Sequence, residues 1–340
     1  MNTFKNILVA STLAVCFAGS AVAQDYALRF QTADPAGTPA FKIQAAWAET
    51  IETLSGGRIT MEILPVGSIV EYSETLDAVA AGIIDGHITD MSYWAGKDPA
   101  FSLLGNPVGA WASPDQMLRF YEFGGGLALV NEIMEPYGAH VIGVLTTGLE
   151  AFVSKVPLDG VADLKGLKMR APEGLVQNIF AAAGAAPVNL PFSEVFTSLD
   201  KGVIDAADAT VFAGNHSAGL HDIARHPVYP GFHSMPTIEV SITKTTWDGM
   251  SPELQTLMEF AVRELAFQEI SQLDMLSAKA AAEASAMEGM VIHNWSAEER
   301  AKFRAIATEQ WKAVAKGSDN AQKAYDTILA YLLDQGLIAQ

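Results

Sequence analysis

Residues 163–210 limit what the rest of this chain can become. They read DLKGLKMRAPEGLVQNIFAAAGAAPVNLPFSEVFTSLDKGVIDAADAT. Leu167 and Met169 fall on one face of a short strand pattern, Lys168 and Arg170 on the other. Pro172 stops that strand, and Ala171 before it is biased to extended geometry. An apolar helix follows over 174–183, closed by Gly184. A strand over 188–190, a helix over 193–201 with Ser193 as N-cap, and a strand over 203–207 complete a βαβαβ unit. Parallel strands joined by helical crossovers commit the chain to an α/β layered fold. One guanidinium at the end of the first strand, Arg170, sits beside a helix start and suits an anionic small molecule.

The same grammar runs through the N-terminal half. Strand patterns cover 26–31 and 59–64, and helical patterns cover 39–54 and 71–81. Leu76…Gly82-Ile83-Ile84-Asp85 returns as Phe196…Gly202-Val203-Ile204-Asp205, 120 positions on. Each copy reads as a helix, a glycine cap and a buried strand, so the echo implies equivalent elements of two similar lobes. Ligands of open α/β sheets bind outside the carboxyl ends of the strands. The segments 89–94 and 208–210 would then face each other across a cleft. Strand patterns at 141–145 and 151–154 flank Thr146-Thr147-Gly148 and read as an interlobe crossing, with 237–243 as a return. Residues 252–290 are almost uninterrupted helix formers, long enough to run across both lobes. Helices over 296–316 and 321–335 end the chain.

Composition narrows the function. Lys5 precedes an apolar run over 7–18, and Ala21-Val22-Ala23 is a small-residue cleavage pattern, so residues 1–23 read as a secretory signal peptide. Cleavage there removes Cys16, the only cysteine, and with it disulfide and thiol chemistry. The formal charge of −18 opposes nucleic-acid binding and contact with anionic membranes. It does not oppose an anionic ligand, because a local arginine outweighs a field screened within about 8–10 Å. None of the seven histidines has a metal-site spacing, and no G-x-S-x-G elbow occurs. Gly124-Gly125-Gly126 lacks the context of a phosphate loop.

Several motifs resemble the DctP-type solute receptors of TRAP transporters, periplasmic proteins that feed a sodium-driven membrane permease. They are the signal peptide, DLKGLKMRAPEG, Pro191-Phe192-Ser193-Glu194-Val195-Phe196 and Leu199-x-x-Gly202-Val203-Ile204-Asp205. Tyr93-Trp94-Ala95-Gly96-Lys97-Asp98, Phe120-Tyr121-Glu122-x-Gly124-Gly125-Gly126 and Tyr229-Pro230-Gly231-Phe232-His233 are similar to the subgroup that binds 2-oxo acids and related monocarboxylates. The resemblance implies an α/β, two-lobe periplasmic binding protein fold with mixed sheets, interlobe crossing strands and a long spanning helix. Lobe I would hold 24–147 with about 240–280 returning to it; lobe II would hold 148–239, with about 281–340 packing on it and on the hinge. The implied function is capture of a small organic acid, a 2-oxo or 2-hydroxy monocarboxylate, and delivery to the permease, without catalysis. Arg170 matches the family's carboxylate-binding arginine, whose planar fork lysine cannot reproduce.

The subgroup's metal-bound members use a Gln, a Glu-Trp pair and a Glu where this chain has Gly148, Asp208-Ala209 and Ser234. Only Asp208 keeps an acid. Asp208, Glu150 and Glu239 are the residues left for an oxygen-rich site holding Na+ or Ca2+ against the ligand. Alternatively, Tyr93, Trp94, Phe152 and Phe212 beside Asp208 or Glu150 would hold the cationic group of a zwitterion. Tyr93 and Trp94 are expected to close over the ligand, and Thr32 and Asp34 to contribute from the first loop. Three readings stay open: a monocarboxylate receptor; a receptor for a sugar acid, dicarboxylate or zwitterion; and a secreted enzyme acting on a small carboxylate.

Overall fold

The computed structural model describes residues 25–338. Residues 1–23, expected to be a signal peptide, and Cys16 among them lie outside the described residues. The elements run β1 (Tyr26–Thr32), α1 (Pro39–Leu54), β2 (Ile59–Leu64), α2 (Thr75–Ala80), β3 (Gly86–Asp90), α3 (Ala100–Gly105), α4 (Pro114–Phe123), α5 (Gly126–Met134), β4 (Ala139–Leu145) and β5 (Ala151–Ser154). Then come β6 (Lys168–Arg170), α6 (Leu175–Ala182), β7 (Ala186–Val188), α7 (Val195–Asp200), β8 (Ala206–Thr210), α8 (Phe212–Ser217), α9 (Leu220–Ile223), β9 (Ile238–Thr243), α10 (Lys244–Gly249), α11 (Pro252–Ser285), α12 (Ala297–Ala315) and α13 (Asp319–Asp334). No described helix is long and apolar enough to cross a membrane.

Two sheets result, ordered β2-β1-β3-β9-β4 and β5-β8-β6-β7. β1 pairs parallel with β2 and β3, and β6 pairs parallel with β7 and β8. β9 enters the first sheet antiparallel between β3 and β4, and β5 closes the second antiparallel to β8. Both sheets are therefore mixed. β9 follows β8 in the chain yet lies in the first sheet, so the backbone crosses between sheets there as well as between β4 and β5.

The 120-residue echo is structural. Tyr72–Glu74, α2 and β3 correspond position for position to Phe192–Glu194, α7 and β8. The strands start three residues later than the apolar runs imply. Gly82 and Gly202 take positive φ, and the residues after them still bond back to the helix. Ile83 N and Ile84 N donate to Ala78 O, and Val203 N and Ile204 N donate to Ser198 O. Ile83 and Val203 are consequently exposed, and sheet bonding begins only with Asp85 N to Arg29 O and Asp205 N to Lys168 O.

The helix α11 has 34 residues, with Ser251 capping it through Leu254 N and Pro252 at its start. Leu254, Met258, Ala261, Leu265, Leu273, Ser277, Ala280 and Ala284 form one buried stripe along its whole length. The first part of that stripe joins the core of the first sheet, and Ala280 and Ala284 pack with Ala151 and Phe212 of the second. α12 packs on α6 and α3, and α13 on α3 and α5. Asp98 fixes the start of α13 by accepting from Ser318 Oγ at 2.7 Å and Asn320 Nδ2 at 2.8 Å.

Gly86 shows how tightly β3 is seated. A Cβ there would lie 2.3 Å from Phe30 Cζ and 2.4 Å from the Ser241 carbonyl oxygen. Gly86→Ala should therefore cost about 1–3 kcal/mol through overpacking. A urea midpoint unchanged from wild type would contradict this packing.

Candidate functional site

The carboxyl ends of the two sheets meet around a cavity of about 120 Å³. The first sheet contributes Asp34 after β1, Thr89 and Asp90 from β3, and Tyr93 beyond it. The second contributes Arg170, Pro172, Ala209 and Thr210, and the β4–β5 crossing contributes Thr147 and Glu150.

Arg170 is 6% exposed. Its Nε donates to Leu190 O at 2.9 Å and its Nη1 to Asp208 O at 2.7 Å. Both partners are backbone carbonyls, and no described carboxylate lies within ion-pair distance, which leaves Nη2 for an outside anion. The echo explains the position. Gln31 pairs with His87 in β1–β3 as Arg170 pairs with Ala207 in β6–β8. Gln31 Nε2 likewise donates to Val70 O at 2.8 Å, the counterpart of Leu190. Arg170 does what Gln31 does, and its longer side chain continues into the cavity.

Glu150, Asp208 and His233 come together, with one ligand atom from each within 4.8 Å of the others. His233 Nε2 lies 2.9 Å from Asp208 Oδ1, and Ser234 Oγ donates weakly to Oδ2. Burial opposes charge on Asp208, yet His233 beside it holds the carboxyl below its usual range. Burial, reinforced by the charge of Asp208, pushes Glu150 well up. The two carboxyl groups are thus pushed in opposite directions. The loop that delivers His233 is pinned to Glu150: a Cβ on Gly231 would sit 1.5 Å from Glu150 O. Arg300 holds the same loop by donating to Gly231 O and to Pro230 O.

The other expected residues divide. Tyr93 lines the cavity and packs edge-on against Tyr72 at 4.7 Å between centroids. Asp34 lines it too, while Thr32 is buried and reaches Asp34 Oδ2 at 3.2 Å instead of the cavity. Trp94 does not close over the site: it is fully buried, and its Nε1 donates to Glu239 Oε1 at 2.7 Å. A buried indole N–H needs an acceptor, and this one takes Glu239. Glu239 also accepts from Ser241 Oγ, so it does not join Glu150 and Asp208; His233 stands there in its place. Phe212 and Phe152 are core residues as well, packed against His221 and Tyr229 and against Phe180 and Phe232 respectively. The sequence placed Thr89 and Asp90 in the segment facing the cleft and Thr147 in the interlobe crossing without singling them out as contacts, and it missed Asn106 on the wall. Asp90 was within reach, because the echo aligns it with Thr210 on the opposite strand end.

The family model for bacterial extracellular solute-binding proteins, family 7 (DctP), matches residues 30–317. This chain belongs to that family. The DctP family consists of solute receptors of transport systems, not enzymes. The chain is 29% identical over 235 residues to a monocarboxylate 2-oxoacid-binding periplasmic protein of Nostoc sp., covering 68% of this chain and 64% of the relative. A solute-binding protein of Roseobacter denitrificans is 31% identical over 212 residues, 62% of this chain and 63% of its own length. The chain thus spans less than two thirds of the length of these curated relatives. A TRAP periplasmic solute-binding protein of Rhodobacter sphaeroides, solved in an apo open form, is 57% identical, with a TM-score of 0.78, 92% of this chain covered and all of that chain. A TRAP solute-binding protein of Pseudoalteromonas atlantica, solved with sodium and pyruvate, shares the fold at 23% identity, with a TM-score of 0.80 and coverage of 92% and 95%.

In this DctP-family cleft, burial pushes the Asp90 carboxyl up to about 7, with Asp208 and Glu239 adding to the effect. The folded state therefore binds that proton more tightly than the unfolded chain does. Its contribution to stability is full below about pH 4 and is lost as pH rises through about 7. Asp90→Asn should raise the thermal midpoint of the ligand-free protein at about pH 8 and give no gain near pH 4. An equal effect at both pH values would show that Asp90 is not desolvated.

Proposed function

We propose that this chain is the extracytoplasmic receptor of a TRAP transporter: it captures a small monocarboxylate between two lobes in the periplasm and delivers it to the membrane permease. The observation that carries this reading is Arg170, a buried guanidinium held by two backbone carbonyls and paired with no described carboxylate. A buried charge without a partner is costly, so the cleft is built for an anion that arrives from solution. Lobe I, residues 25–147 with β9 and the start of α11, and lobe II, residues 148–237, each supply part of the wall. A ligand that touches both lobes selects the closed arrangement, since only differential affinity shifts a population. Water leaves on closure, which strengthens the pair between Arg170 and the carboxylate.

The Nostoc relative's name supports a 2-oxo monocarboxylate, and a 2-hydroxy acid of the same size is the kindred alternative. A bridging ion is less well supported. Na+ and Ca2+ take six or more oxygens, and the cluster here offers two carboxyl groups and one imidazole. Gly148, Ala209 and Ser234 add no further carboxylate or amide side chain. Two carboxyl groups supply at most four oxygens, so the protein side chains alone do not complete a hard-cation cage, and no step in capture is assigned to one.

A thermal-shift screen of organic acids on the mature protein, with and without chelator, tests the reading. A ligand at 100 times its dissociation constant should add about 2.7 kcal/mol. Arg170→Lys should weaken binding by at least about tenfold, through loss of a charge-assisted hydrogen bond. A screen in which no carboxylate shifts the midpoint, or in which Arg170→Lys keeps the full shift, defeats the proposal.

A further inference from the structure

Taken together, the polar atoms on the cavity wall call for more than a carboxylate. Arg170 is the only cationic side chain among the described residues that line it, against three carboxyl groups, Asp34, Asp90 and Glu150. Asp34 is held by its Oδ2, which accepts from Gln44 Nε2 at 2.9 Å and Thr32 Oγ1 at 3.2 Å. That grip leaves Oδ1 for the cavity. Asp90 is held by its Oδ1, which accepts from Ser92 N at 2.8 Å, and this leaves Oδ2. Neither acid has an ion pair among the described residues. Three further oxygens on the wall, Thr89 Oγ1, Asn106 Oδ1 and Thr147 Oγ1, are buried and without a partner.

Carboxyl groups without a cationic partner continue behind the wall. Gln44 Nε2 also points at Glu269 Oε2, at 3.4 Å, from the fully buried Glu269 on α11. Gln44 Oε1 and Glu269 Oε1 have no partner. One amide therefore serves two buried carboxyl groups, and no described basic side chain lies within ion-pair distance of either. A plain carboxylate ligand satisfies Arg170, and the Thr89 and Thr147 hydroxyls can donate to it, but it brings only acceptors to Asp34 and Asp90. An ammonium brings up to three donors and a positive charge. Tyr93 and Phe192 supply ring surface in the same cavity, which suits a desolvated cation.

We infer that the monocarboxylate taken by this cleft also carries a cationic nitrogen, seated against Asp34 on the first-lobe wall, with Gln44 and Glu269 as positioning residues behind it. The inference rests on the receptor reading above and names the ligand's second functional group: an amino- or ammonio-carboxylate, anchored by its anion on lobe II and by its cation on lobe I. A ligand of that kind spans the two lobes by opposite charges, so closure neutralises both walls at once.

The test is calorimetric titration of the chelator-treated mature protein with a panel of α-, β- and γ-amino and trimethylammonio monocarboxylates, each against its desamino partner of equal chain length. At least one nitrogen-bearing member should bind about 30-fold more tightly than its partner. Asp34→Asn should abolish that preference. It should leave the ligand-free thermal midpoint equal or higher, since burial pushes the Asp34 carboxyl up and the amide removes a charge that the site disfavours. Arg170→Lys should instead weaken both members of each pair. If desamino acids bind as well as their nitrogen-bearing partners, or bind only once Ca2+ or Na+ is restored, the inference falls and the receptor reading stands. If Asp34→Asn keeps the preference, the cation is seated elsewhere and the assignment to Asp34 falls. If no carboxylate of either kind binds, the receptor reading falls with it.

Discussion

The cleft is arranged around a guanidinium that protein encloses and only neutral carbonyls answer. Arg170 donates two hydrogen bonds to backbone oxygens of its own lobe, at Leu190 and Asp208. Those bonds fix the plane of the side chain without neutralising it. Had Asp208 turned its carboxylate toward Arg170, the charge would be satisfied internally and the site would hold nothing. His233 takes that carboxylate instead, at 2.9 Å. The histidine, delivered by the pinned loop at 229–234, is in this sense part of what keeps the arginine available.

The duplicated design of the lobes accounts for where the charge sits. Gln31 and Arg170 occupy the same place in two copies of one strand–helix–strand arrangement. In lobe I the amide closes on the backbone around Val70, with Ile69 N and Val70 N donating back to its Oε1. In lobe II the guanidinium makes the equivalent bond and has donors to spare. The acids sit mainly on the other wall, in Asp34 and Asp90. The cleft is thus polarised from one lobe to the other, although the protein as a whole is acidic at −18. The spanning helix α11 reinforces the arrangement, since its buried stripe touches both cores and carries Glu269 behind Asp34.

Much of this is legible in the chain. The βαβαβ pattern, the glycine-capped echo and the long helix come from periodicity and punctuation, which local propensity and burial dictate. Arg170 stands out because a strand end beside a helix start is where such folds present ligand contacts. Trp94, Phe152 and Phe212 mislead because an aromatic near a strand end reads the same whether it faces the cleft or the core. Trp94 faces inward, and a buried acid, Glu239, receives its N–H. His233 escapes a reading of local patterns because its partner is 25 positions away in the chain.

The α/β class, the repeated strand-and-helix unit and the place of Arg170 at a strand end are each written in residues close together in the chain, so the amino-acid order alone is enough to set them. Which acids meet which hydrogen-bond donors is settled by three-dimensional packing. Asp208 turns to His233, Glu239 to Trp94, and Gln44 on α1 bridges Asp34 to Glu269, 225 positions from it on α11. Those choices follow from where two sheets and a spanning helix converge. Burial raises the cost of every unpaired charge at that point, and short-range sequence patterns carry no record of which pairs will form.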